Sequence, residues 1–336
     1  MKRLVTLAVL FVLAMLLIGP GPISAQAPFY QGKTINIEIG GGGAIAVSAR
    51  ILANHLGKYI PGKPNVIVQT LPGGAHLVAT NHAYSVAKPD GLTLLALNPA
   101  VGIAQVMKVE AVRFDLRKFG WLGSTGPDGV VVAIRADLPF KTFDEFRKSG
   151  KELVVGTTGP GSNAHDIPLL LSEFAGAKFK FVSGYPANSD ILLALERKEV
   201  DIWTATATTV KLAVDRGSVR GLVRNRVPYK GFENLPVDEE LSTSSLGKTI
   251  MGVRSAPSAI GRAFGVTPGT PADRVKMLQD AFAQAMKDPE LLVEAAKAKI
   301  PFEYLSPETI AKYIAELVEQ PPDIQKEMVK YIRFGS

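Results

Sequence analysis

Extended apolar runs alternate with helical patterns along this chain, and that alternation restricts the fold more than any other feature of the sequence. In the first hundred residues the pattern predicts strands over 34–39, 65–69 and 92–97, with helices over 47–59 and 75–87 between them. Helices that separate consecutive strands cover both faces of a sheet whose strands run parallel. The first part of the chain is therefore predicted to be a β-α-β-α-β unit.

A second series of alternating strands and helices is predicted to begin near Gly129. Thr142 and Glu145 have the spacing of a capping box, which opens a short helix in this second series. The other predicted elements are strands over 130–134, 153–156, 178–183 and 200–205 and helices over 166–175 and 188–198. Residues 229–247 are rich in Gly, Pro, Glu and Ser, which predicts a loop-rich segment.

The C-terminal part is predicted to be helical, with Thr270 and Ser306 as capping residues, each followed by a proline in the first turn. A strand over 259–266 would return the chain to the first α/β unit. The predicted domains are then residues 28–126 plus 259–336 and residues 127–258. Two crossings between two domains make a hinge.

The N-terminal segment has the three parts of a secretory signal. Lys2 and Arg3 are positive, residues 4–18 are apolar, and small residues lead to Ala25 and Ala27. The alternative is a retained membrane anchor, but this apolar run is shorter than the roughly 20 residues that span a bilayer. We therefore expect residues 1–25 to be a signal peptide that is cleaved near Ala25 or Ala27.

Composition narrows the compartment and the partners. The net charge is +7, but the basic residues are spread along the chain, so a nucleic-acid partner is not predicted. The chain has no Cys, which excludes disulfides, thiolate metal sites and a cysteine nucleophile. An exported protein without an anchor fits the periplasm, where the outer membrane would retain it.

A run of four glycines, Gly40 to Gly43, follows the first predicted strand and precedes a helix. Glycine allows a ligand to approach the backbone closely, and free N–H groups at a helix start favour an anion. The spacing matches neither a dinucleotide fingerprint nor a phosphate loop. We interpret the run as a ligand-binding loop, with a flexible turn as the alternative.

A matching loop, residues 156–163, follows a strand of the second unit. Its hydroxyls and backbone N–H groups are suited to hold a carboxylate by neutral hydrogen bonds, the alternative being helix capping by Ser162 or Asn163 alone. Ser162, His165 and Asp166 also suggest a secreted hydrolase, but residues so close at a helix start do not easily form a catalytic triad, and no Gly-x-Ser-x-Gly elbow is present. The spacing of the other histidines predicts no metal site, and no cofactor is predicted.

Four segments of the first domain resemble the extracytoplasmic solute receptors of tripartite tricarboxylate transporters, the Bug family. They are Gly32-Lys33-Thr34-Ile35, the glycine loop ending in Ala49-Arg50-Ile51-Leu52, Val68 to Gly74, and Lys88-Pro89-Asp90-Gly91-Leu92-Thr93-Leu94. Gly161-Ser162 with His165, residues 192–201 and residues 265–271 are also similar to that family, so the resemblance covers nearly the whole chain after the signal.

The resemblance implies an α/β, two-lobed periplasmic binding protein of type II-like architecture, with two Rossmann-like domains, a two-crossing hinge and a ligand cleft between them. It implies no catalysis, a small organic acid as ligand, cognate inner-membrane permease subunits as partners, and a monomer. Many relatives carry Asp where Ala46 stands here, which would give the ligand's distal end a more apolar wall. The full set of candidate ligand-binding residues is Gly41, Gly42, Gly43, Ala44, Gly73, Gly74, Asn98, Thr157, Thr158, Ser162, Asn163, His165, Tyr185, Asp190 and Thr204.

Overall fold

The computed structural model describes residues 28–332 and arranges them in two lobes, each built around a five-stranded sheet. The expected signal peptide, residues 1–25, lies outside the described residues. The strands are β1 (Thr34–Ile39), β2 (Asn65–Thr70), β3 (Thr93–Ala96), β4 (Gly120–Ser124), β5 (Val130–Arg135), β6 (Leu153–Thr157), β7 (Phe179–Ser183), β8 (Ile202–Thr206), β9 (Val219–Arg224) and β10 (Ala263–Val266). The strand order is β2-β1-β3-β10-β4 in the first sheet and β7-β6-β8-β5-β9 in the second.

Thirteen α-helices lie among the described residues. They are α1 (Ala44–Leu56), α2 (Leu77–Ser85), α3 (Val101–Val106), α4 (Phe143–Ser149), α5 (Asn163–Ala175), α6 (Asn188–Glu196), α7 (Ala207–Asp215), α8 (Ser245–Ser255), α9 (Pro257–Ile260), α10 (Ala272–Ala285), α11 (Pro289–Lys297), α12 (Pro307–Val318) and α13 (Pro322–Tyr331). Short 3-10 turns precede α2 at Gly74–His76 and α8 at Asp238–Leu241.

Both sheets are mixed, whereas the alternation of strands and helices predicted parallel ones. β1 runs parallel to β2 and β3, and β6 runs parallel to β7 and β8, as expected. The antiparallel strands are β10 in the first sheet and β5 in the second, each of which the chain enters directly from the other lobe. A buried apolar run has the same composition in either direction, so strand direction was not readable from it.

Several element boundaries differ from the predicted ones. The predicted strand over 259–266 contains the end of α9 before β10, and the loop-rich segment contains a 3-10 turn. Thr142 and Ser306 cap their helices as predicted. Thr270 does not cap α10, because its hydroxyl donates to the carbonyl of Thr267 and Pro271 occupies the capping position.

The core of the first lobe forms because β1 places apolar side chains at alternate positions. Ile35, Ile37 and Ile39 are almost fully buried on one face, where they pack with Leu52 of α1. Successive strand side chains point to opposite faces, so this alternation orients β1 with that face toward the helices. Its end, and the loop that follows, are thereby held at the sheet's edge.

The two crossings between the lobes lie side by side and are locked by one buried arginine. Arg262 exchanges backbone hydrogen bonds with Thr125 and Gly126, and its guanidinium lies 3.0 Å from the carboxylate of Asp128 and 2.8 Å from the carbonyl of Pro301. Gly261 is required here because its φ is +62° and a Cβ would lie 2.1 Å from the Gly126 carbonyl oxygen. This lock ties the end of β4 and the start of β5 to the start of β10.

The last helix makes a contact that the sequence analysis did not anticipate. α13 packs on α5 and α8 of the second lobe, and the rings of Tyr331 and Phe174 meet edge to face with centroids 5.0 Å apart. The chain after the second crossing therefore covers parts of both lobes.

Candidate functional site

The glycine loop after β1 presents backbone at the start of a thirteen-residue helix. Gly43 holds the capping position of α1 with φ +80° and ψ −161°, a conformation essentially restricted to glycine, and no side chain caps the helix. The first N–H groups of a helix have no partner within it, and the helix dipole favours an anion there. The loop thus offers an uncapped helix start.

His76 of the neighbouring loop divides the four glycines into two pairs. A Cβ on Gly40 would lie 2.7 Å from the His76 Cβ, and one on Gly41 would lie 2.9 Å from its Cε1. A Cβ on Gly42 or Gly43 would meet nothing within 4 Å. Gly40 and Gly41 are therefore needed to accommodate His76, so of the four glycines in this run only Gly42 and Gly43 leave space for a ligand.

Sequence reasoning missed His76 as a site residue, because it considered the histidines only as metal ligands. Its backbone is left-handed, with φ +75°, at the start of α2, and its buried Nδ1 has no hydrogen-bond partner within the described part of the chain. Burial lowers the pKa of the imidazole. The neighbouring Gly73 and Gly74 also have positive φ, at 128° and 53°, and they form the turn that brings His76 over the glycine loop.

The loop after β6 is closed by its own hydroxyls. Thr157 accepts a hydrogen bond from the N–H of Gly159 at 2.9 Å, and Ser162 donates to the Gly159 carbonyl at 2.7 Å. Ser162 stands at the capping position of α5, yet its side chain makes no capping hydrogen bond. The alternative that Ser162 acts as a helix cap is therefore wrong, and its proton is already committed within the loop.

The buried carboxylate of Asp166 holds this loop in place through hydrogen bonds. One carboxylate oxygen accepts from the N–H of Gly161 at 3.0 Å and lies 3.1 Å from His165 Nδ1, and the other accepts from Arg254 Nε at 2.9 Å. The Asp166 side chain is 0% exposed and that of Arg254 is 3% exposed, so the pair is shielded from water. Arg254 comes from α8, and the sequence carried no signal that linked it to the loop.

The hydrolase alternative needs a Ser–His contact. Within residues 28–332 the side chains of Ser162 and His165 share no hydrogen bond, and the ring of His165 instead lies against Phe181, with centroids 5.4 Å apart. A nucleophile must be within hydrogen-bond reach of its base. The trio functions in this geometry as a structural network.

The remaining candidate residues divide into those with local partners and those without. Asn98 accepts from the N–H of Ala100, and Asp190 accepts from the N–H of Ala187, so both stabilise helix starts.

The hydroxyl of Thr204 is buried without a hydrogen-bond partner among the described residues. Tyr185 lies within reach of Gly156, whose Cβ would be 3.4 Å from its ring. Thr158 is exposed, and Ala44 and Asn163 are half-buried at the starts of α1 and α5.

Ala46 does not form the apolar wall that the sequence comparison suggested. It is 1% exposed and belongs to the core beneath α1. A residue so enclosed cannot line an open cleft.

A second group of polar residues lies between α1 and α11. His55, Asp288 and Glu290 bring ligand atoms within 4.8 Å of one another, which is the spacing of a metal site. The ammonium of Lys58, however, hydrogen-bonds Asp288 at 3.2 Å and also Glu290. Because a cation of the chain itself occupies this place, we interpret the group as a clamp between the two helices.

Comparison with known proteins places the geometry in context. The model of the TctC family, described as tripartite tricarboxylate transporter family receptor, matches residues 48–329. A curated Cupriavidus necator protein, described as UPF0065 protein in gbd 5'region, is 26% identical over 317 residues, which are 91% of each chain. Within residues 28–332 no helix is both long and apolar enough to span a membrane.

Solved structures share the fold at lower identity. A TctC solute-binding protein from Polaromonas has a TM-score of 0.66 at 21% identity, over 90% of this chain and 99% of that one. MatC from Rhodopseudomonas palustris, solved with malate, has a TM-score of 0.66 at 19% identity, over 87% and 99%. An R. palustris protein with adipate has a TM-score of 0.66 at 16% identity, over 89% and 97%. Because the family model matches residues 48–329, which are most of this chain, the chain belongs to the TctC family of receptors for tripartite tricarboxylate transporters.

Proposed function

We propose that this chain is a periplasmic receptor that binds one small mono- or dicarboxylate, either aliphatic or aromatic, between its lobes and delivers it to a cognate membrane permease. The observation that carries the proposal is the open backbone of Gly42 and Gly43 at the uncapped start of α1. An anion there is stabilised by unpaired N–H groups without a charged side chain. The loop after β6 would supply the second wall.

Two features support capture by lobe closure. The described residues form two lobes joined at the Arg262 lock, and both candidate loops follow strands at the carboxyl ends of parallel pairs, where open α/β sheets bind ligands. The proposed moving units are residues 28–126 plus 259–336 and residues 127–258, with α13 reaching across from the first unit to pack on the second. The malate and adipate in related structures motivate dicarboxylates as the first ligands to test.

The chemistry of the second loop favours binding without turnover. Ser162, His165 and Asp166 are held in contacts that leave no base facing the serine hydroxyl. Neutral donors bind an anion but provide no route for proton transfer. We therefore propose a receptor that needs no cofactor and releases its ligand unchanged.

The test is a thermal-shift screen of mono-, di- and tricarboxylates, followed by calorimetric titration of those that raise the melting temperature. A ligand at 100 times its Kd stabilises the folded state by about 2.7 kcal/mol, which is readily detected. Mass spectrometry after prolonged incubation should recover the acid intact at one molecule per chain. A chemically altered product, or no binding across the screen, would contradict the proposal.

Export and assembly are tested separately. We propose a mature chain that begins at Gln26 or Pro28 and behaves as a monomer in the periplasm. N-terminal sequencing of a periplasmic extract and light scattering of the purified chain check both points. An intact Met1 in the membrane fraction would overturn the export proposal.

A further inference from the structure

His76 differs from every other strained residue that the structure describes. Five non-glycine residues among residues 28–332 have positive φ: Lys63, His76, Lys108, Lys198 and Lys299. The four lysines are exposed, whereas His76 is half-buried at the beginning of a helix. A left-handed conformation is strained for a non-glycine residue, and such strain is concentrated at functional sites. The position of His76 therefore calls for a functional explanation.

The buried nitrogen of His76 decides which tautomer the ring adopts. Nδ1 has no hydrogen-bond partner and lies against Gly40, where a Cβ would be only 2.7 Å from it. An α-hydrogen of Gly40 takes the direction of that absent Cβ, and no acceptor among the described residues lies within hydrogen-bond distance of Nδ1. Buried N–H groups without an acceptor are rarer than buried acceptors without a donor. We therefore assign the lone pair to Nδ1 and the proton to Nε2.

Nε2 is the ring nitrogen that is not enclosed, since unlike Nδ1 it is not among the buried unpartnered atoms. It is 3.9 Å from the place of a Cβ on Gly41, whose nearest ring atom is Cε1 at 2.9 Å. The next residue, Gly42, has open space beside it. An N–H at Nε2 thus adds a side-chain donor to a loop whose other donors are backbone N–H groups.

We propose that His76 is a ligand-binding residue whose neutral imidazole donates its Nε2–H to the carboxylate held at Gly42 and Gly43. This inference rests on the proposed function and names a side chain of the same site. Burial lowers the pKa of His76, which favours the neutral ring. The left-handed backbone is the means by which the ring reaches over Gly40 and Gly41.

The first experiment reads the tautomer in the unliganded protein. Nitrogen NMR of the histidine-labelled chain distinguishes protonated from unprotonated ring nitrogens, and the signals of His76 are those lost in His76→Gly. We expect an unprotonated Nδ1 and a protonated Nε2 whose resonance shifts when a bound acid is added. A protonated Nδ1 would overturn the assignment.

The second experiment measures affinity by calorimetric titration with malate, adipate, citrate and benzoate as probes. His76→Phe keeps a ring of similar size and the same backbone strain but lacks the donor, and it should weaken the best probe about tenfold or more, as expected for one hydrogen bond to a charged group. His76→Gly should lose the same affinity while melting at a higher temperature, because glycine accepts the left-handed backbone. As a control on the same helix, Ser85→Ala at an exposed position should retain the affinity.

The outcomes separate the two proposals. If the wild-type chain binds a probe and His76→Phe binds it equally well, His76 is not a ligand residue and the receptor function stands. If the wild-type chain binds none of the four acids, the proposed carboxylate class is wrong, and an unprotonated Nδ1 would then support only the tautomer.

Discussion

Substitutions at Gly42 and Gly40 should affect different properties, since the first should lower ligand affinity and the second should lower stability. This contrast tests where the ligand lies. Gly42 is not at positive φ, and a Cβ there would meet nothing within 4 Å. Gly42→Val therefore leaves the fold undisturbed and places its branches in the proposed anion position. The loss of one hydrogen bond to a charged group, about 1.5–3 kcal/mol, weakens binding roughly ten- to hundredfold.

Gly40→Ala should instead act on stability. Its methyl group would lie 2.7 Å from the His76 Cβ and 2.8 Å from the His76 Cα, and backbone cannot move aside as a flexible side chain can. Overpacking of this kind costs about 1–3 kcal/mol. At roughly 2–4 °C per kcal/mol, the melting temperature should fall by about 2–12 °C.

Both variants are measured by thermal melting without ligand and by calorimetric titration with the best acid of the screen. The reasoning requires Gly42→Val to lose affinity at an unchanged melting temperature and Gly40→Ala to lower the melting temperature. Full affinity in Gly42→Val would refute the placement of the anion at this loop. An unchanged melting temperature in Gly40→Ala would refute the packing of His76 on the glycines.

Three further predictions concern the second lobe. Burial raises the pKa of Asp238 from 3.8 to about 7, so the folded chain holds this proton more tightly than the unfolded chain does. The free energy of unfolding should therefore fall by up to about 4 kcal/mol as the pH rises from about 4 to about 7. Urea titrations of Asp238→Asn across that range should lack this fall. Arg254→Met should lower the free energy of unfolding, measured in urea, by about 3–5 kcal/mol because it leaves Asp166 buried without its partner. The double variant with Asp166→Asn should recover part of this loss. Equal losses in the single and double variants would contradict the prediction. Thr142→Ala should cost about 1 kcal/mol through the lost cap on the Glu145 N–H, as thermal melting would detect, whereas Thr142→Ser should not.

Much of the architecture was predictable because it depends on local patterns. The alternation of Ile35, Ile37 and Ile39 identifies β1, and the Thr142 cap identifies the start of α4, from neighbouring residues alone. The family is also carried by local segments, and the match over residues 48–329 confirms it. Strand direction was beyond this reasoning, since β5 and β10 read as ordinary buried strands.

The candidate site was only partly predictable. The two loops follow from glycine and hydroxyl residues after a strand, but the roles of their members depend on distant partners. Ser162 donates to its own loop, and Asp166 pairs with Arg254, 88 positions away in sequence. No local spacing encodes such a pairing.

The sequence by itself determined the α/β class, the two-part organisation, the family and the position of the glycine loop, because each follows from periodicity or from contiguous residues. Only the tertiary structure decided that His76 occupies the space beside Gly40 and Gly41, leaving Gly42 and Gly43 open. The physical reason is that hydrophobic patterns act over a few residues, whereas the space beside a backbone atom depends on which other segment packs against it.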